Sequence, residues 1–221
     1  MLHSENRYFL CDLSGASLLM NVNHDRPFSQ ACEQNQHIIL AVLKDYLVEP
    51  QWVFEIGSGT GQHAVFFARE LPFLHWQPSD LSENLPGISA WIEYSGLDNI
   101  SHPITLDVAS TNWPEISAGC FFSANSLHIM SWNHVIAFFG GLARVAEPNA
   151  HLIVYGPFNY NNEFTSESNR EFDAYLRSRD PLSGVRNFDD IDELANAAGF
   201  TLLEDRAMPA NNRTLVWKKA G

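Results

Sequence analysis

From Ser29 onward, apolar residues recur at helical spacing, with Ile39, Leu40, Leu43 and Leu47 on one stripe, Ser29 placed to cap the helix and Pro50 to end it. Beyond Pro50 the pattern becomes short apolar blocks alternating with amphipathic ones. It predicts strands over 52–56, 74–78, 104–106, 120–124 and 151–155. Helices are predicted between them over 61–71, 85–94 and 131–146. Pro86 fits the first turn of the second of these, Gly96 lies just past its end, and Ser131 and Pro148 bracket the third. Residues 157–187 break the alternation. They are polar and Arg-bearing, with a helix over 168–177, and read as an excursion above the sheet edge. Asp189 then caps a helix that Gly199 closes, and strands over 201–206 and 214–217 flank the turn Pro209-Ala210-Asn211-Asn212. The whole predicts an α/β fold of Rossmann-like, doubly wound type. Its seven-stranded sheet is mostly parallel with a C-terminal antiparallel hairpin strand, helices cover both faces, and a ligand crevice opens at the strands' carboxyl ends.

The first 19 residues carry no period of either kind, and Met20 opens a segment that reads as a start. Residues 1–19 are therefore expected to form an extension, loose or packed as a short arm, with 20–221 as a single domain. A composition of 45% hydrophobic and 18% charged residues is that of a folded protein. The 13 Lys and Arg against 26 Asp and Glu give a net charge of −13, which argues against a fold-wide surface for nucleic acid or anionic membranes. The charge is uneven: residues 1–146 hold 14 acidic and 5 basic side chains, and residues 147–221 hold 12 and 8. Cys11, Cys32 and Cys120 are odd in number and show no CxxC spacing, which predicts a reducing, cytoplasmic setting without structural disulfides. The apolar stretches fall far below the ~18 residues of a membrane span, and no secretory signal is evident.

The sharpest chemical signal is Glu55-Ile56-Gly57-Ser58-Gly59-Thr60-Gly61-Gln62-His63, where a buried-strand pattern runs into a glycine loop and a helix. Glycines at alternate positions permit a tight turn and close approach of a ligand, and the helix start presents free N–H groups. A dinucleotide fingerprint needs its third glycine at position 62, where Gln62 stands, so a nicotinamide oxidoreductase is disfavoured. The pattern resembles motif I of the class I S-adenosylmethionine-dependent methyltransferases. Asp80 follows at the end of the next strand, where a carboxylate accepts hydrogen bonds from ribose hydroxyls, and Leu106-Asp107-Val108 follows the third strand, where family members contact adenine. The resemblance implies S-adenosyl-L-methionine as cofactor and S-adenosyl-L-homocysteine as product. Its binding residues would be Glu55, Gly57, Ser58, Gly59, Gly61, His63, Asp80, Leu81, Asp107, Val108 and Asn125, with Phe28 and the helix after Ser29 lying over the cofactor. Taken singly, each element has a plainer role: a strand–helix connection, a helix cap at Asp80, a turn at Asp107.

A narrower resemblance is to the family that includes methyltransferase-like protein 26. It is carried by Ser29 to Asn35, Glu55 to Ala64, Trp76 to Asp80, Leu106 to Val108, Tyr155 to Phe158, Ser168-Asn169, Phe172-Asp173, Leu176 to Pro181 and Met208 to Asn212. It covers the chain from about residue 26 to the C-terminus and specifies no substrate.

Methyl transfer from a sulfonium is an in-line displacement with an activated leaving group, so alignment and water exclusion dominate and a base is needed only for a protonated nucleophile. Candidates lie after the fourth and fifth strands. Asn125 and His128 are catalytic candidates, His128 as base or as a structural histidine. Tyr155, Phe158, Arg177, Arg186, Asn211 and Asn212 are substrate candidates. The arginines would clamp an acidic substrate, or else balance the acidic residues interspersed with them. Neither the histidines nor the cysteines show metal-ligand spacing. The expected partner is a small-molecule or protein acceptor, on a monomer or homodimer, with neither nucleic acid nor membrane. A non-catalytic cofactor-binding regulator is the competing reading.

Overall fold

The computed structural model describes residues 26–221 and, before them, a two-residue pairing of β1 (Leu10–Cys11) with β2 (Ser17–Leu18). Apart from that pairing, the expectations for residues 1–25, including the boundary at 19, lie outside the described residues. The first helix, α1 (Gln30–Tyr46), is capped by the Ser29 hydroxyl, which accepts the Cys32 N–H at 3.3 Å, and it buries Ile39, Leu40, Val42 and Leu43. Then follow β3 (Trp52–Ile56), α2 (Gln62–Glu70), β4 (His75–Asp80), α3 (Leu85–Ser95), β5 (Ile104–Thr105) and β6 (Cys120–Ala124). The chain continues through α4 (Trp132–Val145), β7 (His151–Asn159), α5 (Glu167–Arg179), β8 (Arg186–Asn187), α6 (Phe188–Ala197), β9 (Phe200–Met208) and β10 (Asn212–Lys219).

The strand order β5-β4-β3-β6-β7-β10-β9 is parallel except for β10, which inserts antiparallel between β7 and β9; β8 adds a short parallel pairing to the end of β7. After β3 the chain turns towards β4, and after β5 it crosses back to β6. The carboxyl end of β3 is therefore a topological switch point, where α/β sheets open a crevice. Strand alternation divides the apolar side chains into two layers. Val53, Cys120, Phe122, Ile153 and Tyr155 face α1, α2 and α3, while Phe54, Phe121, Leu152, Val154 and Phe158 face α4 and α6.

Several predicted boundaries move. The fifth strand continues past Tyr155 to Asn159 because it stays paired with β10 as far as Pro157 and then gains a third partner in β8, so the excursion begins later than residue 157. Its helix is capped by Ser166, whose hydroxyl accepts the Asn169 N–H at 3.1 Å, rather than starting at Ser168. Asp189 lies in the first turn of α6, where its charge faces the helix N-terminus, and Asn187 takes the cap position. Among the described residues, no helix is long and apolar enough to cross a membrane.

Candidate functional site

The loop after β3 is built by backbone bonds between neighbouring strand ends. Gly57 and Ser58 both donate their N–H groups to the Ser79 carbonyl at 3.0 Å, which lashes the loop to the end of β4. Beneath it, Glu55 accepts the Ser58 hydroxyl and the Trp76 indole N–H, each at 3.0 Å. Burial pushes the Glu55 carboxyl up to about 7, against the pull of these two donors and with a further upward push from Asp80. Glu55 thus sits under the loop and shapes it.

Asp80 ends β4 facing the loop. Its Oδ2 accepts the Gly59 N–H at 2.6 Å, and its Oδ1 accepts the Leu81 N–H at 2.7 Å and the Asn84 amide at 2.8 Å. Gly59 has φ +56°, and a Cβ built there would meet nothing within 4 Å, so this glycine opens onto free space beside the carboxylate. Gly61 differs. At φ +86° it starts α2, and a Cβ there would lie 2.9 Å from the Ile88 Cα of α3, so it is required for packing. Leu81 is 42% exposed beside Asp80, an apolar surface next to a hydrogen-bonding group. Leu106 donates its N–H to the Asp80 carbonyl at 2.8 Å, which brings the 106–108 segment alongside. There Asp107 accepts the Ala109 N–H at 2.9 Å and closes a turn, while the Val108 side chain is buried in the layer facing α4.

The arm before α1 crosses this half of the molecule. Trp91 of α3 donates its indole N–H to the Pro27 carbonyl at 2.7 Å, the Arg26 guanidinium stacks on Tyr94, and Ser29 donates its N–H to Gln62 Oε1. Phe28 between them is 66% exposed. His63, in the first turn of α2, is buried against Phe67, and its Nε2 meets Asn35 Oδ1 at 2.7 Å. Burial lowers its pKa to about 4, the Cys32 carbonyl opposing weakly, so the ring is neutral.

Beyond β6 the chain opens a second space, a cleft of about 420 Å³ between α1, the ends of β6 and β7, α5 and the β9–β10 turn. Of the candidates named from the sequence, Asn125, His128, Tyr155 and Asn212 line it. Asn125 adopts φ +56° at the end of β6, and its N–H donates to the Tyr155 carbonyl at 2.8 Å. His128 is 6% exposed, lies edge-on to Phe172, and has no hydrogen-bond partner for its ring nitrogens among the described residues. Burial, helped by the Arg186 charge, lowers its pKa to about 4.

The remaining candidates go elsewhere. Phe158 sits one strand position beyond Pro157, so pleating turns it away from the cleft into the α4 and α6 layer. Arg186 gives its N–H groups to the carbonyls of Leu127, Met130 and Leu182, and Arg177 pairs with Asp173 at 2.7 Å. Both are spent on holding the excursion in place. Asn211, at φ +57°, donates to the Ser168 hydroxyl at 3.1 Å and ties the hairpin turn to α5. Asn35 was missed as a site residue, although an amide four positions before Ile39, on the buried stripe of α1, was its signal in the sequence.

Sheet order and glycine loop together define a methyltransferase-like Rossmann fold. It is shared with an O-methyltransferase family protein from Burkholderia thailandensis (TM-score 0.76, 14% identity, 86% of this chain and 58% of that one). Human N-acetylserotonin methyltransferase, solved in complex with SAM, has a TM-score of 0.72 at 17% identity over 87% of this chain and 53% of that one. A putative O-methyltransferase from Nostoc punctiforme has a TM-score of 0.74 at 15% identity over 85% and 56%. The chain spans 53% to 58% of the length of these three proteins. Residues 26–219 match the family described as "Protein of unknown function (DUF938)", and the chain belongs to that family.

Proposed function

We propose that this protein is an S-adenosylmethionine-dependent methyltransferase, and that within its family it is akin to methyltransferase-like protein 26, on the stretches quoted above. The single observation that carries the reading is the pairing of Gly59 with Asp80: a positive-φ glycine facing open space, its N–H held at 2.6 Å by a carboxylate at the switch point. The residues fit the cofactor. Asp80 keeps acceptor capacity for a ribose hydroxyl, Leu81 offers an apolar face for a base, and the start of α2 offers N–H groups to a carboxylate. When bound, S-adenosylmethionine supplies a methyl group on a sulfonium leaving group.

The chain's own part is to align an acceptor and exclude water. The cleft of Asn125, His128 and Tyr155 adjoins the glycine loop through Ser126, whose hydroxyl bonds to the Ala124 carbonyl at 3.1 Å and lies 3.5 Å from that of Gly57. His128 is proposed as the group that takes the acceptor's proton. Its neutral imidazole has a lone pair at neutral pH, and a base of low pKa suffices for an oxygen or nitrogen that becomes strongly acidic as it is methylated.

Calorimetry tests the reading directly. S-adenosylhomocysteine is expected to bind and NAD not to bind, and transfer of labelled methyl to a component of a native lysate should follow. Binding without transfer over broad acceptor panels would favour a regulatory cofactor-binding protein. Absence of S-adenosylhomocysteine binding would overturn both.

A further inference from the structure

The turn that carries His128 is held through its main chain. Four successive carbonyls, those of Leu127, His128, Ile129 and Met130, each accept a hydrogen bond from residues 183–186. Arg186 Nε donates to Leu127 at 3.0 Å, the Gly184 N–H to His128 at 2.9 Å, the Ser183 hydroxyl to Ile129 at 2.7 Å, and Arg186 Nη2 to Met130. Carbonyls outside a helix or sheet need donors from elsewhere once water is removed, and residues 183–186 supply them as a clasp.

The clasp is fixed in turn by Asp173 of α5, a buried carboxylate. Its Oδ1 accepts the Val185 N–H at 2.8 Å and its Oδ2 accepts the Arg177 Nε–H at 2.7 Å. Gly184 permits this approach: at φ +154°, a Cβ there would stand 2.8 Å from Asp173 Oδ1. Phe172, the residue before Asp173, lines the cleft and meets the His128 ring edge-on, with centroids 5.3 Å apart. Gly156 of β7 bounds the ring as well, since a Cβ built there would lie 3.6 Å from His128 Nδ1. The ring nitrogens of His128 have no hydrogen-bond partner among the described residues, so the direction of the imidazole is set by its main chain and by these walls. Asp173 acts on both, through Val185 and Gly184 on the main chain and through its neighbour Phe172 on the ring.

We infer that Asp173 is a positioning residue for His128: it holds the clasp and the Phe172 wall in register, so that the imidazole presents one orientation to the acceptor's proton. This role rests on the part proposed for His128 in methyl transfer. Asp173 itself touches neither acceptor nor cofactor, and acts only through the turn and the ring it holds.

The experiment uses full-length protein whose S-adenosylhomocysteine binding is measured first. The His128 ring is then followed by 13C relaxation at Cε1, its signal assigned by its loss in His128→Asn. The ring order parameter should be about 0.85 in the wild type and fall below about 0.6 in Asp173→Ala. Asp173→Asn keeps an acceptor for the Val185 N–H and should restore the wild-type order. Transfer of labelled methyl to a lysate component should drop about a hundredfold in Asp173→Ala, the scale of a catalytic group displaced by ~1 Å, with S-adenosylhomocysteine affinity unchanged. In a His128→Asn background the same substitution should cost nothing further, because the two residues act as a unit, whereas a merely structural Asp173 lowers transfer equally in both backgrounds. Should Asp173→Ala fail to fold, Ser183→Ala, which removes only the donor to Ile129, takes its place in both measurements with changes in the same direction. The proposal is overturned if the ring stays ordered in the folded variant, or if the two losses multiply. Binding of S-adenosylhomocysteine without transfer, or undiminished transfer in His128→Asn, instead brings down the methyltransferase or the base reading, and the ring order still decides whether Asp173 holds the imidazole.

Discussion

The two halves of the candidate site are built from different materials. Around β3 and β4, the loop is shaped by main-chain groups: N–H to carbonyl between Gly57, Ser58 and Ser79, and N–H to carboxylate between Gly59 and Asp80. Around β6 and β7, the cleft is lined by side chains contributed by elements far apart in sequence, with Asn35, His128, Asn169 and Asn212 meeting across it. A backbone-built half tolerates only residues that allow its torsions, whereas a side-chain-built half is free to vary its chemistry on one scaffold. On the proposed function, the first half would hold the cofactor and the second would select the acceptor.

The sharpest break in that comparison comes at the two glycines of the loop. Gly61→Val places a Cβ 2.9 Å from the Ile88 backbone at φ +86°, so the strain of a β-branched residue and overpacking act together. A loss of about 4 kcal/mol is expected by denaturant titration. Gly59→Ala meets open space and should lose only about 1 kcal/mol of stability while impairing S-adenosylhomocysteine binding. Equal stability losses would show that the loop is uniform. Asp80→Ala removes the carboxylate that would hold ribose and that pins Gly59, and calorimetry should show about a hundredfold weaker binding, the scale of one or two charge-assisted hydrogen bonds. The fold should survive, since Asp80 lies at the strand end.

Glu55 tests whether the backbone half is strained by its own support. Its folded pKa is raised to about 7 from 4.5, with desolvation the chief cause. Between these values the folded chain retains a proton that the unfolded chain releases, so stability falls as pH rises from about 4.5 to 7 and is then level. Glu55→Gln keeps an acceptor for Ser58 and Trp76 and removes this titration. It is expected to be the more stable protein at pH 8 by on the order of 2 kcal/mol, with the gap closing below pH 5. A pH-independent gap would mean that Glu55 stays ionised.

The same division explains what was legible in the sequence. Torsion-driven features leave local signals: the glycines at 57, 59 and 61, the caps at Ser29 and Ser131, and the strand over 52–56 all fell where the pattern placed them. The strand and helix order followed, and with it the switch point. Contacts between distant segments leave almost none. Nothing local told that β10 inserts between β7 and β9, or that β8 prolongs β7 and thereby carries Phe158 on to the far face. Asn35 was visible only as an amide on an apolar stripe, and its meaning needed His63 beside it.

The arginines of the excursion offer the finest test of the comparison, because charge alone made them substrate candidates. Arg186 is half-buried, and its donors are divided among three carbonyls; Arg186→Met is expected to lose about 1–2 kcal/mol of stability as those acceptors lose partners. Arg177 is 52% exposed but its partner Asp173 only 10%, so Arg177→Gln, which leaves a nearly buried carboxylate with a weaker donor, should lose about 1 kcal/mol. Neither substitution should alter the affinity of the cleft for an anionic probe such as benzoate. Arg186 nevertheless acts on the cleft through its field, for it adds to burial in holding the His128 pKa down. In Arg186→Met the His128 ring, followed by NMR through a pH titration, should titrate higher than in the wild type yet still below 6.5, since burial, the larger cause, persists. A titration that does not move would place the guanidinium too far from the ring to matter. Loss of anion binding in either variant would restore the arginines to the acceptor site and end the contrast between the two halves.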